Sequence, residues 1–164
     1  LLTTPTIEPL LFRDAMSRFA AAVHLVATDG PTGRRGVTAT SVVSVSDSPA
    51  SLLVCLNASN AANARFDGNG CFAVNVLGRR HEHVARKFSG EGNLTPEERF
   101  GAAPWTRLST QAPVLVDALV SFDCRLIDSR IVATHHVFIG EVVAVALGQP
   151  DEALVYLDRA YRHV

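Results

Sequence analysis

Long apolar runs are missing from this chain; none approaches the roughly 20 residues that a membrane-spanning helix needs. No sign of charge dominates either. Fifteen Lys and Arg against sixteen Asp and Glu leave a net charge of −1, and the basic residues are scattered. That excludes the basic stripe of a nucleic-acid binder and the polybasic face of a membrane-surface helix. Cysteine is scarce: Cys55, Cys71 and Cys124 are odd in number, widely spaced and set in apolar runs. They read as small hydrophobes in a reducing compartment, which predicts a cytoplasmic protein without a disulfide framework. The opening Leu1-Leu2-Thr3-Thr4-Pro5 lacks the charged region of a secretory signal.

Several chemical signatures are also missing. His81-Glu82-His83 sets its imidazoles on different sides of a helix, and His135-His136 point to opposite faces of a strand. With no HExxH and no CxxC, no metal site is expected. There is no GxSxG elbow and no believable carboxylate pair, which argues against hydrolysis. Gly90-Glu91-Gly92 follows a helix instead of joining a strand to one, so it is no dinucleotide fingerprint. No repeat, low-complexity tract or linker is found.

What remains is an ordinary core-forming composition, 48% hydrophobic over 164 residues, which suits one domain over 1–164. Residues 1–9 read as an extended lead-in. Leu11, Phe12, Ala15, Met16 and Phe19 fall at helical spacing and predict a helix over 10–20. Strands are predicted at 22–28, 36–46, 51–57, 71–77, 120–127, 134–146 and 153–157. Asp29-Gly30-Pro31-Thr32-Gly33 and Asp67-Gly68-Asn69-Gly70 supply turns. Short helices are predicted at 60–66, capped by Asn60 or Ser59, and at 83–88 with Val84, Ala85 and Phe88 inward. Thr95-Pro96-Glu97-Glu98 is a capping box that opens another. Residues 101–113 read as an ordered loop anchored by Trp105. Some seven strands, few helices and short connections predict a mainly β fold, a barrel with peripheral short helices.

The run Gly36–Ser46 carries Thr38, Thr40, Ser41 and Ser44 on both faces. The next strand is apolar until it opens into Asn57-Ala58-Ser59-Asn60. Neutral donors therefore gather near the ends of two adjacent strands, as a phosphate-bearing cofactor requires. The plain alternative, a Ser/Thr-rich strand whose hydroxyls are satisfied within the protein, stays open at this point. So do two readings each of His135, Arg86-Lys87 and Tyr161-Arg162-His163: solvated surface, or part of a donor-rich pocket.

With these residues the chain resembles the flavin reductase-like family, in particular the reductase component of two-component 4-hydroxyphenylacetate 3-monooxygenases. Phe12-Arg13-Asp14-Ala15-Met16, Val74-Asn75-Val76-Leu77, Ala85-Arg86-Lys87-Phe88-Ser89-Gly90, Glu98-Arg99-Phe100, Pro113-Val114-Leu115, Thr134-His135 and Leu154-Val155-Tyr156 follow in the family's order over residues 12–163. The resemblance implies a split β-barrel of the FMN-binding, Greek-key type and a homodimer. It implies FMN or FAD, with NADH or NADPH as electron donor. Thr38, Ala39, Thr40 and Ser41 would lie along the isoalloxazine and ribityl chain, and Asn57, Ala58, Ser59, Asn60 and Asn63 against ribityl and phosphate oxygens. Lys87, Phe88 and Ser89 would close the phosphate end. His135 would serve as the catalytic residue beside the ring and nicotinamide, with Tyr156 and Tyr161 at the same mouth. One departure from the family pattern, Ser59-Asn60-Ala61-Ala62, leaves the phosphate grip weaker or rests it on Asn60, Asn63 and Lys87. The implied activity is reduction of flavin for a partner monooxygenase. Alternatives are reduction of a cobalt corrinoid, a split-barrel oxidase or binding protein with permanently held cofactor, and a non-catalytic scaffold.

Overall fold

The computed structural model describes residues 7–164. Residues 1–6, most of the predicted lead-in, lie outside the described residues. A helix, α1 (Pro9–Ser17), leads into β1 (Ala21–Ala22), β2 (His24–Thr28), β3 (Arg35–Ala39), β4 (Val42–Asp47) and β5 (Ala50–Asn57). A 3-10 turn (Ala61–Ala64) and α2 (Arg65–Asn69) precede β6 (Cys71–Val76). Then come α3 (Glu82–Ser89), α4 (Pro96–Phe100), β7 (Trp105–Arg107) and β8 (Pro113–Leu115). Two long strands, β9 (Val120–Val132) and β10 (His135–Leu147), are followed by β11 (Leu154–Leu157) and β12 (Ala160–His163).

The main sheet has seven strands in the order β3-β2-β6-β9-β10-β5-β4, all paired antiparallel. Its two edges, β3 and β4, are consecutive in the chain. Only Thr40 and Ser41 separate them, a link spanning at most about 11 Å. A flat sheet cannot bring its outer strands that close, so this one curls round on itself. Val26, Val54, Leu56, Phe66, Phe72, Val74 and Phe138 fill the interior, with Val37, Ala39 and Val42 from the two edges packed against them. The result is a mainly β split barrel with short peripheral helices.

The strand predicted over 36–46 is therefore two strands. Thr40 and Ser41 form the link, closed by the Val42 N–H donating to the Thr40 carbonyl at 3.0 Å, a γ-turn. The Cys55 N–H pins the Ser41 carbonyl to β5 at 3.0 Å. Hydroxyls on both faces of the run thus mark a change of sheet edge.

A second core lies outside the barrel wall. Val23, Leu25 and Ala27 point there from β2 and its approach, against Val84, Ala85 and Phe88 of α3, Phe100 of α4 and Leu154 of β11. Strand β2 is buried on both faces, which explains why Leu25, Val26 and Ala27 follow one another without polar alternation. Phe88, Phe100 and Trp105 pack as an aromatic trio with centroids 4.9–5.9 Å apart. The Trp105 Nε1–H donates to the Phe100 carbonyl at 2.7 Å. Gly36 makes this packing possible, because a Cβ there would sit 2.5 Å from the Phe88 ring.

The predicted capping box is present: Thr95 Oγ1 accepts from the Glu98 N–H at 3.2 Å, and Glu98 Oε2 accepts from the Thr95 N–H at 2.8 Å. Asn60 caps the 3-10 turn, its Oδ1 accepting from the Ala62 N–H at 3.1 Å. Other boundaries move. The first helix ends at Ser17, three residues early, where the Ser17 hydroxyl turns back on the Asp14 carbonyl. The strand predicted over 22–28 breaks at Val23, whose N–H and carbonyl bond Leu154 and Leu77. The loop predicted over 101–113 contains β7, which pairs with β8. Tyr161-Arg162-His163 is no loose tail but the body of β12, paired with β11.

Candidate functional site

A cleft of about 550 Å³ opens at the split, between the β3–β4 link, the end of β5 and the C-terminal turn of α3. It gathers Thr38, Ala39, Thr40, Ser41, Asn57, Ser59, Asn60, Asn63, Phe88 and Ser89, all expected at the site. A second cavity of about 490 Å³ shares Thr38, Ala39, Thr40 and Ser89 with it, and carries Tyr156 and Tyr161. A third, about 740 Å³ and largely apolar, shares Thr40, Ser41 and Cys55 and carries His135. All three hollows touch Thr40.

The hydroxyls divide into two groups. Thr38 Oγ1 donates to the Ala85 carbonyl at 2.7 Å and Ser89 Oγ to the Arg86 carbonyl at 2.7 Å, so both help dock or close α3. Among the described residues, the hydroxyls of Thr40, Ser41 and Ser59 have no protein partner. The satisfied-strand alternative thus holds for Thr38 and for Ser46, whose Oγ accepts from the Ser48 N–H at 3.0 Å, and the link presents free donors to the cleft.

Asn63 has a different task from the one expected of it. Only 2% exposed, it donates from Nδ2 to the Asn57 carbonyl at 2.8 Å and accepts at Oδ1 from Arg35 Nε at 3.0 Å. It lines the cleft, but its amide is spent holding the 57–60 turn against β3. Asn57 Oδ1 in turn accepts from the Ser59 N–H at 2.9 Å.

Two expected residues line none of the three hollows. The Ala58 N–H bonds the Thr134 carbonyl at 2.9 Å, and Ala58 is not part of the lining. Lys87 follows the helix phase: with Val84, Ala85 and Phe88 buried, a 100° step turns Lys87 toward the outer face shared with His83. Its place is taken by residues the sequence reading missed. Arg35, from the start of β3, and Arg99, from α4, line the cleft. Burial and the neighbouring charges of Arg99 and Arg65 hold the Arg35 pKa below its ordinary value. The sequence signal was slight, since these arginines converge only in the folded chain.

His135 stands opposite Asn57 in the β5–β10 ladder, so it sits at the same barrel end, with Nδ1 2.9 Å from Thr134 Oγ1. It is exposed and lines the third cavity instead of the first. Tyr156 and Tyr161 meet edge to face at 5.3 Å, and the Arg86 guanidinium lies over the Tyr161 ring at 4.9 Å. Burial raises the pKa of the Tyr161 phenol, which keeps it a neutral donor. Burial likewise raises the Cys55 thiol, so it is no ready nucleophile.

Comparison with known proteins agrees with this geometry. Residues 16–164 match the family model of the flavin reductase like domain. A curated relative from Methylorubrum extorquens, named FMN reductase (NADH) RutF 1, is 50% identical over 157 residues, which are 95% of this chain and 77% of the relative. A crystal structure of a candidate flavin reductase from Haemophilus somnus superposes with TM-score 0.91 at 41% identity, covering 96% of this chain and all of that one. BorF, the flavin reductase component of a bacterial two-component tryptophan halogenase, gives 0.87 at 28% identity, covering 96% and 98%.

Proposed function

The chain belongs to the flavin reductase-like family, and on that premise we propose that it reduces FMN with NADH and passes the reduced flavin to a partner oxygenase-type component. One observation carries the reading: residues 38–41 and Asn57, Ser59 and Asn60, separate in sequence, share one donor-lined cleft at the barrel's split, uncharged but for Arg35 and Arg99. The donor set fits a flavin nucleotide, with uncharged hydroxyls and amides along the middle and cations only at one side. The name of the Methylorubrum relative supports FMN and NADH over FAD and NADPH.

The chemistry is hydride transfer from a reduced nicotinamide to a flavin, which needs no protein nucleophile and no metal. The protein's part is holding and orienting. Thr40 offers an unpartnered hydroxyl where all three hollows meet and Ser41 another where two of them do, so they are placed to stabilise negative charge that develops on a bound ring. Asn57, Ser59 and Asn60 suit the ribityl hydroxyls. Phe88, held by Phe100 and Trp105, gives the cleft a rigid apolar wall. Tyr156, Tyr161 and His135 flank the two hollows through which a nicotinamide can approach.

The role of BorF as one component of a two-component system supports an oxygenase-type acceptor here, of which the 4-hydroxyphenylacetate type is one form. A homodimer is supported by the apolar surface. Helix α1 buries no residue, yet carries Leu10, Leu11, Phe12 and Met16, and Val43 and Val45 on β4 and Val143 and Val145 on β10 are exposed.

The test is to mix the protein with NADH and free FMN in air and follow NADH absorbance. Turnover that rises with added FMN is expected. A bound yellow flavin without NADH loss would overturn the reading in favour of a permanently loaded binding protein. Sedimentation at several concentrations checks the dimer, for which a monomer throughout is the contrary result.

A further inference from the structure

Beside the cleft, and sharing Arg35, Phe88 and Arg99 with it, lies a small cavity of about 150 Å³. Its charged lining is Arg34, Arg35, Arg65 and Arg99, with no carboxylate. None of the four is in an ion pair among the described residues, whereas Arg79, Arg80, Arg86, Arg107, Arg125, Arg130 and Arg159 all are. Three of them are fixed by some other contact. The Arg34 guanidinium lies over the Phe100 ring at 4.7 Å, Arg65 Nη1 donates to the Arg34 carbonyl at 3.1 Å, and Arg35 Nε donates to Asn63 at 3.0 Å. Arg99 carries a buried Nε with no hydrogen-bond partner.

Four like charges gathered round one hollow repel, and an unmet buried guanidinium donor is costly. Both penalties vanish if an anion completes the cluster. The nearest acids do not serve. Asp29 and Glu97 border an adjoining outer cavity together with Arg34 and Arg65, but Asp29 is engaged by Arg107 at 2.7 Å and Glu97 pairs with none of the four among the described residues.

We propose that these four arginines form an anion pocket that receives a phosphate monoester dianion at the side of the cleft. Resting on the flavin reading, the inference makes the pocket the recognition site for the nucleotide's phosphate, replacing the grip that Ser59-Asn60-Ala61-Ala62 and Lys87 do not supply. Free phosphate has the same chemistry and fits the same donors. Guanidinium forks match phosphoryl oxygens two at a time, so the pocket selects phosphorylated over unphosphorylated flavin.

The experiment titrates the full chain with riboflavin, FMN and inorganic phosphate, reading flavin fluorescence and calorimetric heat instead of turnover. FMN should bind at least about tenfold tighter than riboflavin, and Arg65→Gln, outside the cleft lining, should cut FMN affinity by about tenfold while leaving riboflavin unmoved. Inorganic phosphate should displace FMN but not riboflavin from the unmutated protein, an arm that needs no variant to fold. Equal affinity for riboflavin and FMN would overturn the pocket and leave the flavin reading standing. If neither flavin binds, the flavin reading falls, and phosphate calorimetry decides the pocket alone. Heat lost in Arg65→Gln supports it, and no heat with the unmutated protein overturns it.

Discussion

Replacing Asn63 with alanine tests whether one buried amide couples the fold to the cleft. Its Nδ2 satisfies the Asn57 carbonyl and its Oδ1 receives the charged Arg35 Nε, both inside a site only 2% exposed. A neutral hydrogen bond contributes about 1 kcal/mol and one to a charged group about 1.5–3, with further cost when the orphaned partner stays buried. The expected loss is therefore about 2–4 kcal/mol, or roughly 5–15 °C in Tm for a chain of this size. Urea unfolding followed by tryptophan fluorescence measures it, the single Trp105 lying far in sequence from the change. Flavin affinity should fall as well, since the 57–60 turn loses its tie to β3. Asn63→Asp keeps an acceptor for Arg35 and should recover part of the stability. A loss below about 0.5 kcal/mol in Asn63→Ala, with flavin affinity unchanged, would refute the coupling; that is the range of an ordinary surface substitution.

Gly36→Ala forces a methyl to 2.5 Å from a Phe88 ring that two neighbouring aromatics hold in place, so a loss of about 1–3 kcal/mol and weaker flavin binding are expected in the same urea and fluorescence titrations. His24 is buried and its pKa is held below 6.5 chiefly by that burial, despite backbone carbonyl contacts that raise it. The fold therefore favours the neutral ring, so its contribution is full above pH 6.5 and declines as pH falls below it. Thermal melts between neutral and mildly acid pH should show this slope, and it should flatten in His24→Gln. His135→Ala is expected to slow stopped-flow hydride transfer more than it weakens flavin binding by titration; the reverse balance would remove His135 from the ring's edge.

Much of this was legible from local chemistry. Thr95-Pro96-Glu97-Glu98 and the Asn60 cap announce themselves because the groups that satisfy one another lie within three residues. The inward face of α3 follows from Val84, Ala85 and Phe88 at helical spacing. The meeting of 38–41 with 57–60 was also foreseen, through the adjacency of two strands joined by a short turn. What escaped was decided at a distance. A β-branched, hydroxylated run has the same local preference whether it continues or, as at Thr40-Ser41, crosses from one sheet edge to the other. Arg35, Arg65 and Arg99 look like ordinary surface cations until β3, α2 and α4 fold together. Lys87, next to residues that do face the cleft, was misplaced by a single helical step.

The two-residue link between β3 and β4 also limits how this molecule can move. Because it ties opposite margins of one sheet with almost no slack, that lip of the opening cannot swing outward without tearing ladder bonds on β2 or β5. Any widening to admit or release a guest must come from the opposite jaw, at α3, which is docked through side chains such as Thr38 and Phe88 whose contacts can be remade one at a time.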